Sequence, residues 1–378
     1  MLKSSLPSTA AAAIFSIQAH AAHVYVSSPG DGYITQYRLD EHSGQLSLVE
    51  RVQAGDGVSA MTQSRAEALL FATTRSESEN RVSTFQMDRR TGRLQMVSSA
   101  ALADRMSYLS TNQAGTVLMG ASYGGGLVSV QSIASGGRVQ DHAHTYATGP
   151  NTHSILEHPA GKFVYAAVLG ADRISQFTQA PESAQLTPIG TGQVATPTGI
   201  GPRHLAFSPD GRFLYVVGEL TGTVVGFAID ADTGALTEIT RAEGIPPSMG
   251  LRRGLIRGAA PVPEELAPHL IWVADIRITP DGSLMYISER TTSSVSAFSI
   301  EPDSGQASYI GNYTVAEQQP RNIAISPSGR WLLVSGEKSD VVGNYRIDAS
   351  GSIERVSQAP AGKSALWIET VPVTENDA

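Results

Sequence analysis

Three polar residues interrupt what otherwise reads as a β-hairpin. In GPRHLAFSPDGRFLYVVGEL, residues 201–220, Arg203 and His204 precede a P-D-G turn and Glu219 follows the next apolar run. An imidazole or a carboxylate can take and return a proton. A guanidinium stays charged and grips a carboxylate, a phosphate or an oxyanion through parallel donors. Other chemistry is thinly represented. The chain has no cysteine, hence no disulfide, thiolate nucleophile or cysteine-held metal. AGKS at 361–364 lacks the first glycine of a phosphate loop, because Ser357 stands in its place. DHAHTY places His142 and His144 in an H-x-H pair, read as part of a connection between repeats. No metal and no cofactor are expected.

The elements that must position these residues recur along the chain. EHPAGKFVYAAVLGADRISQFT begins at Glu157, ITPDGSLMYISERTTSSVSAFSI at Ile278 and ISPSGRWLLVSGEKSDVVGNYRI at Ile325. Each has a short strand, a P-x-G turn, an apolar strand, a polar turn and an alternating third strand. A fourth strand follows a D-x-x-T/S-G-x-L turn. First strands start near Met61, Tyr108, His153, His204, Asp275 and Asn322, separated by 45 to 51 residues except for one gap of 71. That period, with four strands per unit, predicts an all-β fold: a seven-bladed β-propeller of four-stranded blades. The unit beginning at His23 lacks its first strand. SALWIETV, 364–371, has no partners of its own, so the ring is expected to close by pairing the N- and C-terminal strands, leaving no open edge.

This geometry sorts the charges. In a blade the start of the first strand and the end of the second lie on one face, near the axis. That mouth should gather His153 from blade four, Arg203, His204 and Glu219 from blade five, and Asp275, Arg277, Glu289 and Arg290 from blade six. Blade seven adds Arg321, Glu337 and Lys338, blade two Arg75, and blade three Ser122 and Tyr123. Convergent polar groups in a concave place mark a candidate active site. Each charge can instead serve an ion pair between blades. The P-D-G turns fall on the opposite face and read as ordinary turn chemistry.

Composition limits the partners. With 41% apolar and 16% charged residues, the chain of 378 residues is globular. A net charge of -8 argues against nucleic acid. No stretch is long and apolar enough to span a membrane. The start, MLKSSLPSTAAAAIFSIQAHA, reads as a signal peptide over residues 1–21 with an A-x-A cleavage site at Ala19-His20-Ala21. The expected location is therefore periplasmic or secreted, with the cytoplasm as the alternative. Residues 22–378 are expected to form one propeller domain and a monomer. An insertion at about 241–274, containing LRRGLIR, should act as a partial lid, with Arg252, Arg253 and Arg257 affecting substrate binding.

The motifs P-R-H, G-E-L and E-R in successive blades resemble the lactonase family of seven-bladed propellers. That family includes the bacterial propeller-type 6-phosphogluconolactonases and, among fungal relatives, carboxymuconate lactonizing enzymes. The likeness runs from about His23 to Val371. It implies a site of His153, Arg203, Glu219 and Arg290, and a small-molecule lactone or sugar acid as partner, 6-phosphogluconolactone-like or unphosphorylated. Lactone hydrolysis needs a base for water, a site for the oxyanion and an acid for the departing alkoxide. Glu219 or His153 is the base. Arg203 and Arg290 stabilise the oxyanion or hold an anionic group. His204 is the acid or orients a partner, and Tyr123 contacts substrate. Arg277, Arg321 and Lys338 add positive potential. Two other readings are a carboxymuconate-type lactonizing cycloisomerase and a non-catalytic propeller binding module.

Overall fold

The computed structural model describes residues 20–64, 66–75, 79–180, 183–258 and 260–373. Most of the expected leader therefore lies outside the described residues, and the first strand begins at Ala21. Seven four-stranded antiparallel sheets are arranged as the repeat predicts. Blade one is built from both ends of the chain: Trp367–Val373 pairs antiparallel with Ala21–Ser28, from Ser27 opposite Trp367 to Ala21 opposite Val373. No helix among the described residues is long and apolar enough to cross a membrane.

Burial follows strand position. The second strands of blades four, five and seven, Phe163–Val168, Phe213–Gly218 and Trp331–Gly336, are buried throughout. They are covered on both faces by neighbouring blades, so they read as continuous apolar runs rather than as alternation. The outer strands, such as Leu236–Glu243, alternate toward solvent.

The joints between blades explain the recurring turn. Tyr215, in the second strand of blade five, donates its hydroxyl to the Gly305 carbonyl in the E-P-D-S-G turn of blade six at 2.8 Å. Tyr165 does the same to Gly234 of blade five at 2.7 Å, and Tyr25 to Gly92 of blade two at 2.6 Å. Glycine is required in these turns for two reasons. Gly305 has φ +68°, and a Cβ there would stand 2.6 Å from the Phe213 ring of the preceding blade. Where blade seven meets blade one, the Trp331 indole takes the tyrosine's part and donates to the Glu41 carbonyl at 3.1 Å.

The inner strands of blades four to seven are not regular. Pairing with the second strand shifts register between Thr152 and Ser154, Pro202 and Leu205, Val273 and Ile276, and Pro320 and Asn322. The residues inside these bulges are His153, Arg203 with His204, Ala274 with Asp275, and Arg321. A regular strand sends consecutive side chains to opposite faces, whereas a bulge re-aims them. Arg203 and His204 can therefore both serve the channel although they are adjacent. The inner strands of blades two and three pair without such a shift.

DHAHTY is not a connection. It lies within Arg138–Ala147, the outer strand of blade three, with His144 opposite Val130. The strand's period of two puts His142 and His144 on one face, rings 5.0 Å apart. No group of three metal-ligating side chains occurs among the described residues.

Candidate active site

The mouth of the channel opens into a cavity of about 650 Å³, lined among others by Tyr123, His153, Arg203, His204, Glu219, Arg257, Arg290, Arg321, Glu337 and Trp367. That volume suits a small metabolite. Six arginines line it, Arg75, Arg105, Arg203, Arg257, Arg290 and Arg321, against the two carboxylates Glu219 and Glu337. An acidic protein thus presents a locally cationic hollow, which concentrates anions.

At its floor lies a buried ion cluster. Glu219, at the end of blade five's second strand, receives Arg290 Nη2 on Oε1 at 2.7 Å and faces Arg203 Nε through Oε2 at 3.0 Å. Arg203 is 1% exposed and Arg290 2%. Burial alone would raise the Glu219 carboxyl, but the Arg290 and Arg203 charges overcome it and leave the group below its usual value. Burial draws the Arg203 guanidinium down to about 9, so it remains charged at neutral pH. Arg203 Nη1 also bonds His204 Nε2 at 3.0 Å and the Ala274 carbonyl. Arg290 Nε donates to the Trp272 carbonyl at 2.9 Å. Arg203 Nη2 and Arg290 Nη1 keep no protein partner among the described residues, and both belong to side chains that line the cavity.

A second layer fixes the imidazole. His204 Nδ1 meets Asp275 Oδ1 at 2.7 Å. Asp275 Oδ2 accepts from Asn322 Nδ2 at 2.7 Å and from the Ile323 amide at 3.1 Å, and Arg277 stands 3.2 Å away. With Nδ1–H directed to the carboxylate, Nε2 carries the lone pair that receives Arg203. Tyr108 and Trp367 hold the ring edge-on and tilted, with centroids at 5.0 and 6.0 Å. His204 lines the cavity but both its nitrogens are engaged, so it orients Arg203 and is not placed to serve as the acid.

His153 differs. Its ring packs against Tyr123 at 5.6 Å and His204 at 5.1 Å, and its Nδ1 has no hydrogen-bond partner. Burial first, then the Arg203 charge, holds both His153 and His204 well below the usual 6.5. Both rings are neutral in the folded protein, while an unfolded chain protonates them near pH 6.5. The unfolded state then binds more protons, so the stability they confer is full above about pH 6.5 and falls as pH drops below it. The loss reaches about 1.4 kcal/mol per pH unit for each ring. Thermal melts should show the melting temperature declining below about pH 6.5, with a shallower decline in His153→Ala; identical slopes would mean that His153 is not held neutral.

Two expected members stand elsewhere. Arg277 is two residues past Asp275 on the same strand and so one step deeper in the channel. It pairs with Asp275, donates to the Ile323 carbonyl at 3.0 Å and does not line the cavity. Lys338 is exposed beyond the end of its strand and does not line it either. Arg321 does, paired with Glu337 at 2.8 Å. Of the three arginines expected to form a lid, Arg257 lines the cavity; Arg252 and Arg253 are exposed and do not. Sequence reasoning missed Arg105 and Trp367 as lining residues and Asp275 as the partner of His204. The signal for Asp275 was its place in the inner-strand series one blade after His204.

Comparison with known proteins follows the same lines. The family model described as "Lactonase, 7-bladed beta-propeller" matches residues 22–370. The 6-phosphogluconolactonase of Serratia proteamaculans is 32% identical over 346 residues, 91% of this chain and 97% of its own. That of Yersinia pestis is 30% identical over 91% of this chain and 96% of its own. The periplasmic gluconolactonase of Pseudomonas aeruginosa superposes with a TM-score of 0.78 at 25% identity, covering 93% of this chain and 99% of its own. A Lactobacillus plantarum structure, 20% identical with a TM-score of 0.79 over 93% of this chain and 99% of its own, shares the fold.

Proposed function

The chain belongs to the lactonase family of seven-bladed β-propellers, and on that premise we propose that it hydrolyses the ring ester of a sugar-acid lactone with His153 as the proton carrier. The observation that carries the assignment is the division of labour at the cavity floor. Both oxygens of Glu219 are held by guanidinium groups and both nitrogens of His204 are taken. His153 keeps Nδ1 without a side-chain partner among the described residues, is neutral, and lines the cavity.

A lactone bound with its carbonyl toward the arginines would place the oxygen near Arg203 Nη2 and Arg290 Nη1. Water attacks the carbonyl carbon as His153 takes its proton. The oxygen that becomes negative gains charge-assisted hydrogen bonds in a site with little water to compete. Collapse of the tetrahedral intermediate breaks the bond to the ring oxygen, and the His153 imidazolium returns its proton to the departing alkoxide. The product is an open hydroxy acid, which ionises and releases one proton per turnover. Glu219 acts through the arginines by fixing their forks, and Asp275 acts through His204.

Titration of that proton at fixed pH tests the reading. Glucono-δ-lactone and 6-phosphogluconolactone should both be assayed, with the spontaneous rate subtracted. Hydrolysis well above background is expected for at least one. Because His153 is held below 6.5, kcat/KM should stay level through neutral pH and decline on the acid side only below that value. A rate no greater than background for every lactone tried removes the hydrolase assignment. An acid limb centred above 6.5 removes His153 as the base.

A further inference from the structure

Arg257 is set apart from the other arginines of the cavity. Arg203 and Arg290 share Glu219, and Arg321 has Glu337. The Arg257 guanidinium has no hydrogen bond and no ion pair among the described residues. It is nonetheless held in place. It lies over the Trp272 ring, 4.1 Å from the centroid. Its own carbonyl accepts the Tyr123 hydroxyl from blade three at 2.7 Å, across the mouth. The Trp272 indole donates to the Leu255 carbonyl at 3.2 Å, and the Gly254 amide to Leu220 at 2.8 Å, which fastens the same segment to the floor. The cation is therefore half-buried, oriented and unmatched, and it faces a cavity.

An unmatched cation in such a place costs free energy unless an anion joins it. Burial lowers its protonation most; Arg290 and Arg321 lower it further, while Glu219 and Glu337, each already paired to another arginine, raise it, so around this spot the arginines outnumber the carboxylates. Arg75 and Arg105 also line the cavity without a partner among the described residues, but they are exposed. In open water a charge pair there contributes little. The pole suited to a fixed anion is the one at Arg257.

We propose that Arg257 binds a second anionic group of the substrate, so that the preferred lactone carries a phosphate or carboxylate away from its ring ester. The proposal rests on the lactonase reading and names the class of substrate within it. It also gives the segment between blades five and six a role as the carrier of a recognition residue anchored at both walls of the mouth.

The experiment compares kcat/KM for 6-phosphogluconolactone, for a glucaric acid monolactone with a free carboxylate and for neutral glucono-δ-lactone. Wild type should prefer an anionic lactone, and Arg257→Gln should cut that preference about tenfold or more, the usual scale of one charge-assisted contact. Arg257→Lys should keep part of the preference, and Arg252→Gln, an exposed loop cation off the cavity, should keep all of it. The anionic lactone that loses more in Arg257→Gln identifies the group. No preference in wild type, or one unchanged in Arg257→Gln, overturns the proposal. Calorimetry of 6-phosphogluconate against gluconate gives a reading independent of turnover and of whether Arg257→Gln folds, with Arg257→Lys as the second variant. A chain that hydrolyses nothing yet binds the phosphorylated acid through Arg257 would remove the hydrolase assignment and leave the anion subsite standing.

Discussion

His153→Ala is expected to lower kcat for lactone hydrolysis by about two to four orders of magnitude, with little change in melting temperature. The magnitude is that of a positioned proton carrier. The small effect on stability follows from the surroundings: Nδ1 bonds to no described residue and the ring borders the cavity of about 650 Å³, so truncation enlarges an existing hollow instead of opening a new void. KM should move less than kcat, because proton transfer belongs to the transition state and not to binding. The measurement is steady-state kinetics at saturating lactone beside a thermal melt of the same preparation. Retention of full kcat would assign the proton to another group, and an early melt would make His153 a packing residue.

Glu219→Ala should behave in the opposite way and lose both properties together. It leaves Arg203 and Arg290 buried without their shared counter-charge, and breaking a buried pair from one side costs about 3–5 kcal/mol. For a chain of this size that corresponds to a fall in melting temperature of about 5 °C. Activity should fall as well, since the two guanidinium forks lose the group that aligns them. Glu219→Gln keeps a hydrogen-bond acceptor in the same place and should melt between wild type and Glu219→Ala. If Glu219→Ala melts like wild type yet is inactive, the carboxylate works on substrate directly, and it takes over from His153 as the proton carrier.

The architecture was legible because its signals are local and repeated. P-x-G and D-x-x-T/S-G-x-L recur at blade spacing, and the turn glycine meets an aromatic of the neighbouring blade, as Gly305 meets Phe213. The orphan strand near the C-terminus and the incomplete first unit pointed to each other. The ring of site residues followed from which strand ends share a face. What could not be read was depth and pairing. Arg277 has the same strand parity as Asp275, so alternation alone places both toward the axis; only the bulge between Val273 and Ile276 shows that Asp275 belongs to the His204 layer and Arg277 beneath it. A bulge leaves no periodic trace in the residues around it. The sharing of Glu219 by two arginines depends on a distance between blades, and Arg257 on the path of an irregular segment. Neither has a pattern to find.

The clasp between Trp367–Val373 and Ala21–Ser28 also sets when this protein can first work. Synthesis proceeds from the N-terminus, so the middle blades can pair internally while later ones are still being made. Blade one cannot, because its inner strand is made after every other strand of the ring. Trp367 arrives with it and brings the ring that packs against His204 and Tyr108, while the Ile368 amide completes Asn322 at 2.7 Å. Asn322 in turn holds Asp275, and Asp275 holds His204. A nascent chain stopped just before Trp367 would thus carry every arginine of the pocket and still lack the support beneath its imidazole, with Ala21–Ser28 left as an unpaired sheet edge open to other chains. Competence in this sense waits until the last strand of the ring has been made and has met the first.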